Sequence, residues 1–141
     1  MIKALLFDCY GVVLDVVTNQ QIPPVIEYIR SLKGQYRLGL VSNVPHRANI
    51  ERHFQPGELD QLFDVIVPSG ETGYEKPQPQ IYHIAADQLN VLPEECLFID
   101  DIERFCAGAA ETGMQTVHFF HPQYALDDLK NTIAGLNADQ R

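Results

Sequence analysis

The chain's strongest constraint is the run Ala4-Leu5-Leu6-Phe7-Asp8-Cys9-Tyr10-Gly11-Val12-Val13, an apolar segment that delivers one carboxylate and then meets a glycine. A short run rich in Leu and Phe, ending where the chain must turn, reads as an interior strand of a parallel sheet. The carboxyl ends of such strands are where open α/β sheets bind ligands, so an acid placed there has a task beyond solubility. Cys96-Leu97-Phe98-Ile99-Asp100-Asp101 repeats the pattern far along the chain. Two strands can thus deliver acids to one edge of one sheet, an arrangement suited to a divalent cation beside a nucleophile.

Elsewhere strand-like and helix-like segments alternate, as in βαβ units of a parallel sheet. Strands are predicted at 3–8, 37–42, 63–67, 96–100 and 115–120. Pro23-Pro24 open a helix in the turn where proline is tolerated, and Val25, Ile26, Ile29 and Leu32 repeat at helical spacing until Gly34. Further helices are predicted over 46–54, from Pro79 through Ile81, Ile84, Ala85 and Leu89, and from Glu103 to a left-handed cap at Gly113. A last helix follows Pro122, with Tyr124, Leu126, Leu129 and Ile133 on its apolar face. The fold class is therefore α/β, with helices on both faces of a central parallel five-stranded sheet. A single domain is expected over 1–136, followed by a flexible tail over 137–141.

At 141 residues there is room for one ordinary core. A net charge of −9, from 19 Asp and Glu against 10 Lys and Arg, argues against a surface that neutralises nucleic acid phosphates. Cys9, Cys96 and Cys106 are odd in number and lie in or beside apolar segments, which fits a reducing cytoplasm better than a disulfide framework. Only four apolar residues separate Lys3 from Asp8, too few for a signal peptide or membrane span, so a cytoplasmic protein with no membrane partner is expected.

Strand ends, or the loops just beyond them, present Asp8, Ser42, Lys76 and the pair Asp100-Asp101. A carboxylate can attack phosphorus and form a covalent aspartyl intermediate. Asp8 and Asp100 could share an oxygen-coordinated Mg²⁺, which offsets repulsion between nucleophile and anionic substrate. Ser42 and the backbone N–H groups after it could hold a phosphoryl oxygen, while Lys76 supplies a fixed positive charge. Gly11 lets the chain turn beside the nucleophile.

With these four motifs in this order, the chain resembles the haloacid dehalogenase superfamily of phosphatases, phosphotransferases and dehalogenases, from Lys3 to about Phe120. Asp8-Cys9-Tyr10-Gly11-Val12 is similar to the family's first motif, Ser42-Asn43 to its second, Lys76-Pro77 to its third and Asp100-Asp101 to its fourth. The resemblance implies a three-layer Rossmann-like fold and a phosphatase acting on a phosphorylated substrate through an aspartyl-phosphate on Asp8. Tyr10 and Lys76 would be its catalytic companions, and Ser42, Asn43 and Lys76 its phosphate-binding groups. Mg²⁺ would be held by Asp8, the Tyr10 backbone carbonyl, Asp100 and Asp101, with Asp101 orienting a metal-bound water or Lys76.

Two departures from the family pattern carry consequences. Phosphatases of the family usually place a second Asp two residues after the nucleophile, and here that residue is Tyr10. A phenol with a pKa of about 10 is a poor base at neutral pH, and general acid–base help is worth about 10²–10⁴-fold, so slow turnover is expected. Asp15 could stand in only by folding back over the site. Tyrosine at this place resembles the metal-independent 2-haloacid dehalogenases, which makes dehalogenation the rival activity; the Asp100-Asp101 pair favours phosphate chemistry. A catalytically weakened binding protein is the third reading. The second departure is spacing, since 34 positions separate Asp8 from Ser42 and 34 more separate Ser42 from Lys76. Neither interval has room for the helical cap that many members insert, so an open, capless site is expected, suited to a bulky substrate or needing a partner subunit to close it.

Quieter roles compete at several positions. Asp101 is also a natural N-cap for the helix near Glu103. Cys9 has no basic neighbour in its motif and reads as a buried thiol. Phe105 and Cys106 read as core. His46, His53, His83, His118 and His121 show no metal-ligand spacing. The apolar Val12-Val13-Leu14 and Val16-Val17 beside an uncovered site suggest a homo-oligomer.

Overall fold

The structure is a computed structural model that describes residues 1–120 and 122–138, with side chains described except at 122–124. His121, the Tyr124 side chain and residues 139–141 lie outside the described residues. Five parallel strands, β1 (Ala4–Asp8), β2 (Arg37–Ser42), β3 (Val65–Pro68), β4 (Cys96–Asp100) and β5 (Gln115–His118), form one sheet in the order β3-β2-β1-β4-β5. They are joined by α1 (Pro23–Leu32), α2 (Ala48–Glu51), α3 (Glu58–Leu62), α4 (Pro79–Gln88) and α5 (Glu103–Glu111), and α6 (Pro122–Gly135) follows β5. Neither the β1–β2 nor the β2–β3 connection contains an inserted domain.

Strand alternation builds two cores. Leu5, Phe7, Leu97 and Ile99 point to one face, where α1, α3 and α6 cover them with Val25, Ile29, Leu59, Leu62, Leu129 and Ile133. Ala4, Leu6, Cys96 and Phe98 point to the other, under Ile81, Tyr82 and Ala85 of α4 and Phe105 and Ala109 of α5. β1 is buried at every position, as a central strand covered on both faces must be. Truncating Phe7 there costs about 3–5 kcal/mol. All three thiols are reduced and buried. Burial pushes Cys9 up, Cys96 to about 12 and Cys106 to about 11. The folded protein is therefore expected to resist iodoacetamide at neutral pH, whereas the urea-unfolded chain takes up label at every thiol; rapid labelling of the folded form would contradict this burial.

Three boundaries differ from the expectation. The helix expected over 46–54 is the single turn α2, and β3 begins at Val65 because α3, unanticipated, runs up to Phe63. A five-residue helix is too short to display a period. Asp64 still joins the sheet, its N–H donating to Leu38 O (2.7 Å) and its carboxylate accepting from Leu38 N (2.8 Å). β5 ends at His118, although Phe119 N still donates to Asp100 O at 2.8 Å. Asn137, the first residue of the expected tail, is tied to Ile2: it accepts from Ile2 N and donates to Ile2 O.

Candidate active site

The strand order runs outward on both sides of β1, which puts the topological switch point between β1 and β4. The register sets Phe7 opposite Ile99, so Asp8 and Asp100 end adjacent strands at that crevice. By the alternation above, both carboxylates point to the face covered by α4 and α5. Lys76, from the loop leading into α4, reaches them from that face. Its Nζ donates to Asp8 Oδ1 at 2.7 Å, Asp100 Oδ2 at 2.8 Å and Val41 O at 3.0 Å, which uses all three protons. The rings of Phe98 and Phe105 lie 5.6 and 5.1 Å from the same nitrogen.

All three groups are nearly water-free, with Lys76 2%, Asp8 6% and Asp100 0% exposed. Burial raises the Asp8 carboxyl well above the usual range; Lys76 pulls it back and Asp100 pushes it further up. Burial likewise raises Asp100 against the pull of Lys76. For Lys76 burial opposes the ammonium, but Asp8 and Asp100 outweigh it and hold the group above its ordinary value. The lysine is thus the secure charge of the trio, and the carboxylates are the ones short of compensation.

Asp101 adds a third acid. Its Oδ1 is buried with no hydrogen-bond partner, and it does not cap α5: Ile102 occupies the N-cap, and Ile102 N donates to Asp100 Oδ1 at 3.0 Å. One oxygen each from Asp8, Asp100 and Asp101 lie within 4.8 Å of one another. Three carboxylates against one ammonium, with one buried oxygen orphaned, are a donor set that could hold a hard divalent cation. Gly11 makes room for it. Its φ is +95°, and a Cβ there would collide with the Asp101 carboxylate. Gly11→Ala is expected to cost about 1–3 kcal/mol in urea unfolding and to weaken Mg²⁺ binding by displacing Asp101. Unchanged stability and affinity would show that this approach has no consequence.

The second and third motifs meet differently from the expectation. Asn43, read from sequence as a phosphate ligand, turns its amide onto the Lys76 main chain, accepting from Lys76 N at 2.9 Å and donating to Lys76 O at 3.0 Å. Gly108 of α5, unmarked by the sequence reading, lets the helix close on the same loop, since a Cβ there would lie 2.7 Å from Pro77 Cβ. The signal for it was the run Ala107-Gly108-Ala109-Ala110, small enough for a tight helix contact. Ser42 ends β2, buried, in register with Pro68. The Tyr10 hydroxyl donates to Asn49 O at 3.3 Å, and its ring stands edge-on to His53. Asp15 is held by its own loop, accepting from Val17 N and Thr18 N. Val12, Val13 and Leu14 are core, and only Val16 and Val17 of that apolar stretch are exposed.

A concavity of about 770 Å³ lies at the opposite, amino-terminal end of the strands among Lys3, Lys33, Arg37 and Asp64. Its cations are already engaged by Glu95, Asp64 and the carbonyls of Leu89 and Asn90. The acidic cluster is therefore the chemical centre. Among the described residues no helix is long and apolar enough to cross a membrane.

A doubly wound parallel sheet that gathers strand-end aspartates on a buried lysine at its switch point defines a Rossmann-like hydrolase class. The chain belongs within it to the haloacid dehalogenase-like hydrolases, whose family model matches residues 1–119. It is 29% identical over 122 residues to the pyrophosphatase PpaX of Bacillus mycoides, covering 77% of this chain and 56% of that protein. The chain thus spans about half the length of the curated relatives it matches. It is also 27% identical over 100 residues to a phosphorylated carbohydrates phosphatase of Thermotoga maritima, covering 71% of this chain and 45% of that one. A haloacid dehalogenase family enzyme of Bacteroides thetaiotaomicron, solved with magnesium and inorganic phosphate, shares the fold with a TM-score of 0.68 at 20% identity, covering 83% of this chain and 93% of that one.

Proposed function

We propose that this chain is a capless, Mg²⁺-dependent phosphatase that takes a phosphoryl group onto Asp8 and releases it to water. The observation that carries this reading is the cluster of Asp8, Asp100 and Asp101, the first two buried and paired with Lys76. The phosphatases among its relatives support it. A carboxylate oxygen of Asp8, oriented by Lys76 Nζ, attacks phosphorus, and the bond to the leaving oxygen breaks with its electron pair, that oxygen taking a proton from solvent. Water then attacks the acyl phosphate, returning the Asp8 carboxylate and orthophosphate. Lys76 holds its charge beside both steps, and Ser42 with the backbone N–H groups after it receives a phosphoryl oxygen. Asp8, the Tyr10 carbonyl and Asp100, with Asp101 beside them, would hold Mg²⁺, which would supply charge neutralisation between nucleophile and substrate.

The test is stoichiometric trapping of a beryllium fluoride complex with Mg²⁺, lost in Asp8→Asn; a folded protein without Mg²⁺ affinity would overturn the reading. Metal-independent dehalogenation instead predicts chloride release from 2-chloropropionate in the presence of chelator. Tyr10→Asp is expected to raise phosphate release by about 10²-fold, measured across a panel of phosphorylated compounds with and without Mg²⁺. Activity appearing only in that variant would favour a binding protein that has lost turnover.

A further inference from the structure

Lys76 is the one buried residue of 71–80, so its ammonium reaches the two carboxylates from a loop that is otherwise open to solvent. That loop's hydrogen bonds are mostly its own. Glu75 N donates to Gln78 Oε1 at 2.8 Å and Gln78 N to Glu75 O at 2.7 Å, while the Thr72 hydroxyl donates to Tyr74 O and accepts from Tyr74 N. Among the described residues, the two bonds that Asn43 makes to Lys76 N and Lys76 O are those that tie the main chain of residues 74–77 to a distant part of the fold. Pro77 adds a packing contact on α5 at Gly108, which limits a distance but sets no direction. Asn43 in turn stands on a stiff base. Gly70 N and Ser69 Oγ donate to Val44 O at 2.9 and 3.2 Å, and Arg47 N donates to Glu71 Oε2 at 2.6 Å, so the chain after β2 is fixed to the segment after β3.

We infer that Asn43 is a positioning residue for Lys76: its side-chain amide fixes the main chain from which the ammonium reaches Asp8 and Asp100, and it acts on the chemical step through Lys76 without touching the substrate. A lysine has a flexible four-carbon stem, so where its ammonium stands depends on where its main chain is held. The residue after Ser42 thereby has two separable duties, its main-chain N–H turned to a phosphoryl oxygen and its side chain to the counter-charge of the nucleophile. Misplacing a group at a reacting centre by about 1 Å can cost about 10²-fold in rate. The effect on turnover rests on the phosphatase reading of Asp8, whereas the effect on Lys76 does not.

The test is acetylation of Lys76 by acetic anhydride, followed by mass spectrometry, in the parent, Asn43→Ala and Asn43→Asp. Calorimetry of orthophosphate with Mg²⁺ and turnover of p-nitrophenyl phosphate accompany it. In Asn43→Ala, Lys76 is expected to acetylate about tenfold faster, while exposed Lys33 keeps the parent rate and buried Cys96 stays closed to iodoacetamide. In the same variant kcat falls about tenfold and orthophosphate affinity stays within about twofold. The ionised carboxylate of Asn43→Asp still accepts from Lys76 N but cannot donate to Lys76 O, so its Lys76 acetylation falls between the other two. Unchanged Lys76 acetylation, or acetylation that rises together with Cys96 labelling, overturns the positioning role. Orthophosphate weakened as far as kcat falls makes Asn43 a substrate contact and overturns it as well. A parent that binds no orthophosphate with Mg²⁺ overturns the phosphatase reading instead, and the acetylation rates still decide what Asn43 does to Lys76.

Discussion

On the proposed phosphatase reading, Asp8→Asn is expected to lower kcat by about 10³-fold or more and to leave the fold at least as stable as the parent. The amide cannot form the acyl phosphate, so the covalent route closes rather than slows. Stability moves the other way for a reason visible in the site. Burial raises the Asp8 carboxyl well above its usual range, and a group with a raised folded-state pKa favours the fold below its unfolded pKa, with that contribution lost as pH rises through the folded value. Ionising Asp8 is therefore a net cost to the fold, and a neutral isostere that can still accept from Lys76 Nζ removes it. Paired stopped-assay and melting measurements check both halves; turnover above a tenth of the parent's, or a clear loss of stability, contradicts the assignment.

Lys76→Met has the opposite signature, with activity and stability lost together. The change leaves two carboxylates, 6% and 0% exposed, facing each other without a counter-charge. Removing one partner of a buried ionic cluster costs about 3–5 kcal/mol. The deficit has a defined pH dependence. Asp8 and Asp100 already have raised values, and removing the ammonium raises them further. The folded variant then binds more protons than the folded parent over the pH range between their carboxyl values, so the deficit shrinks as pH falls through those raised folded-state values. Urea unfolding across pH measures it directly, and a pH-independent deficit would mean that lost packing, rather than charge, is the cause. Saturating Mg²⁺ should recover part of the stability, because it replaces the missing positive charge.

Asp8, Lys76 and Asp100 were legible in the sequence because each stands at the end of an apolar run or in the loop beyond one, and alternation within the strands then fixes the face they share. Asn43 was legible as part of a motif but not in its role. Which neighbour takes an amide depends on how closely the Lys76 loop approaches, and Gly108, far along the chain, sets that approach. Asp101 could be read as a cap or as part of a cation site, since both place an acid before a helix; the Ile102 N-cap excludes the first, and the orphaned Oδ1 leaves that oxygen available for the second. The Tyr10 identity was plain, but its partners Asn49 and His53 belong to a segment read as a helix over 46–54, of which only the single turn α2 forms. α3 escaped because five residues are too few to show a period. Val12 to Leu14 look like the exposed pair that follows them, and only tertiary packing separates the two groups.

Lys76 links carboxylates that lie 68 and 24 positions away in sequence. The centre is therefore not a property of any segment: withdraw β4 and its partners separate, and withdraw β1 and the sheet loses its middle strand. A ligand spanning Asp8 and Asp100 acts as a staple across the whole sheet, and its binding free energy is shared by the entire cooperative unit. At a concentration 100 times its Kd such a ligand adds about 2.7 kcal/mol to global unfolding. A melting-temperature shift thus becomes a direct measure of site occupancy, available for screening ligands even when turnover is too slow to follow.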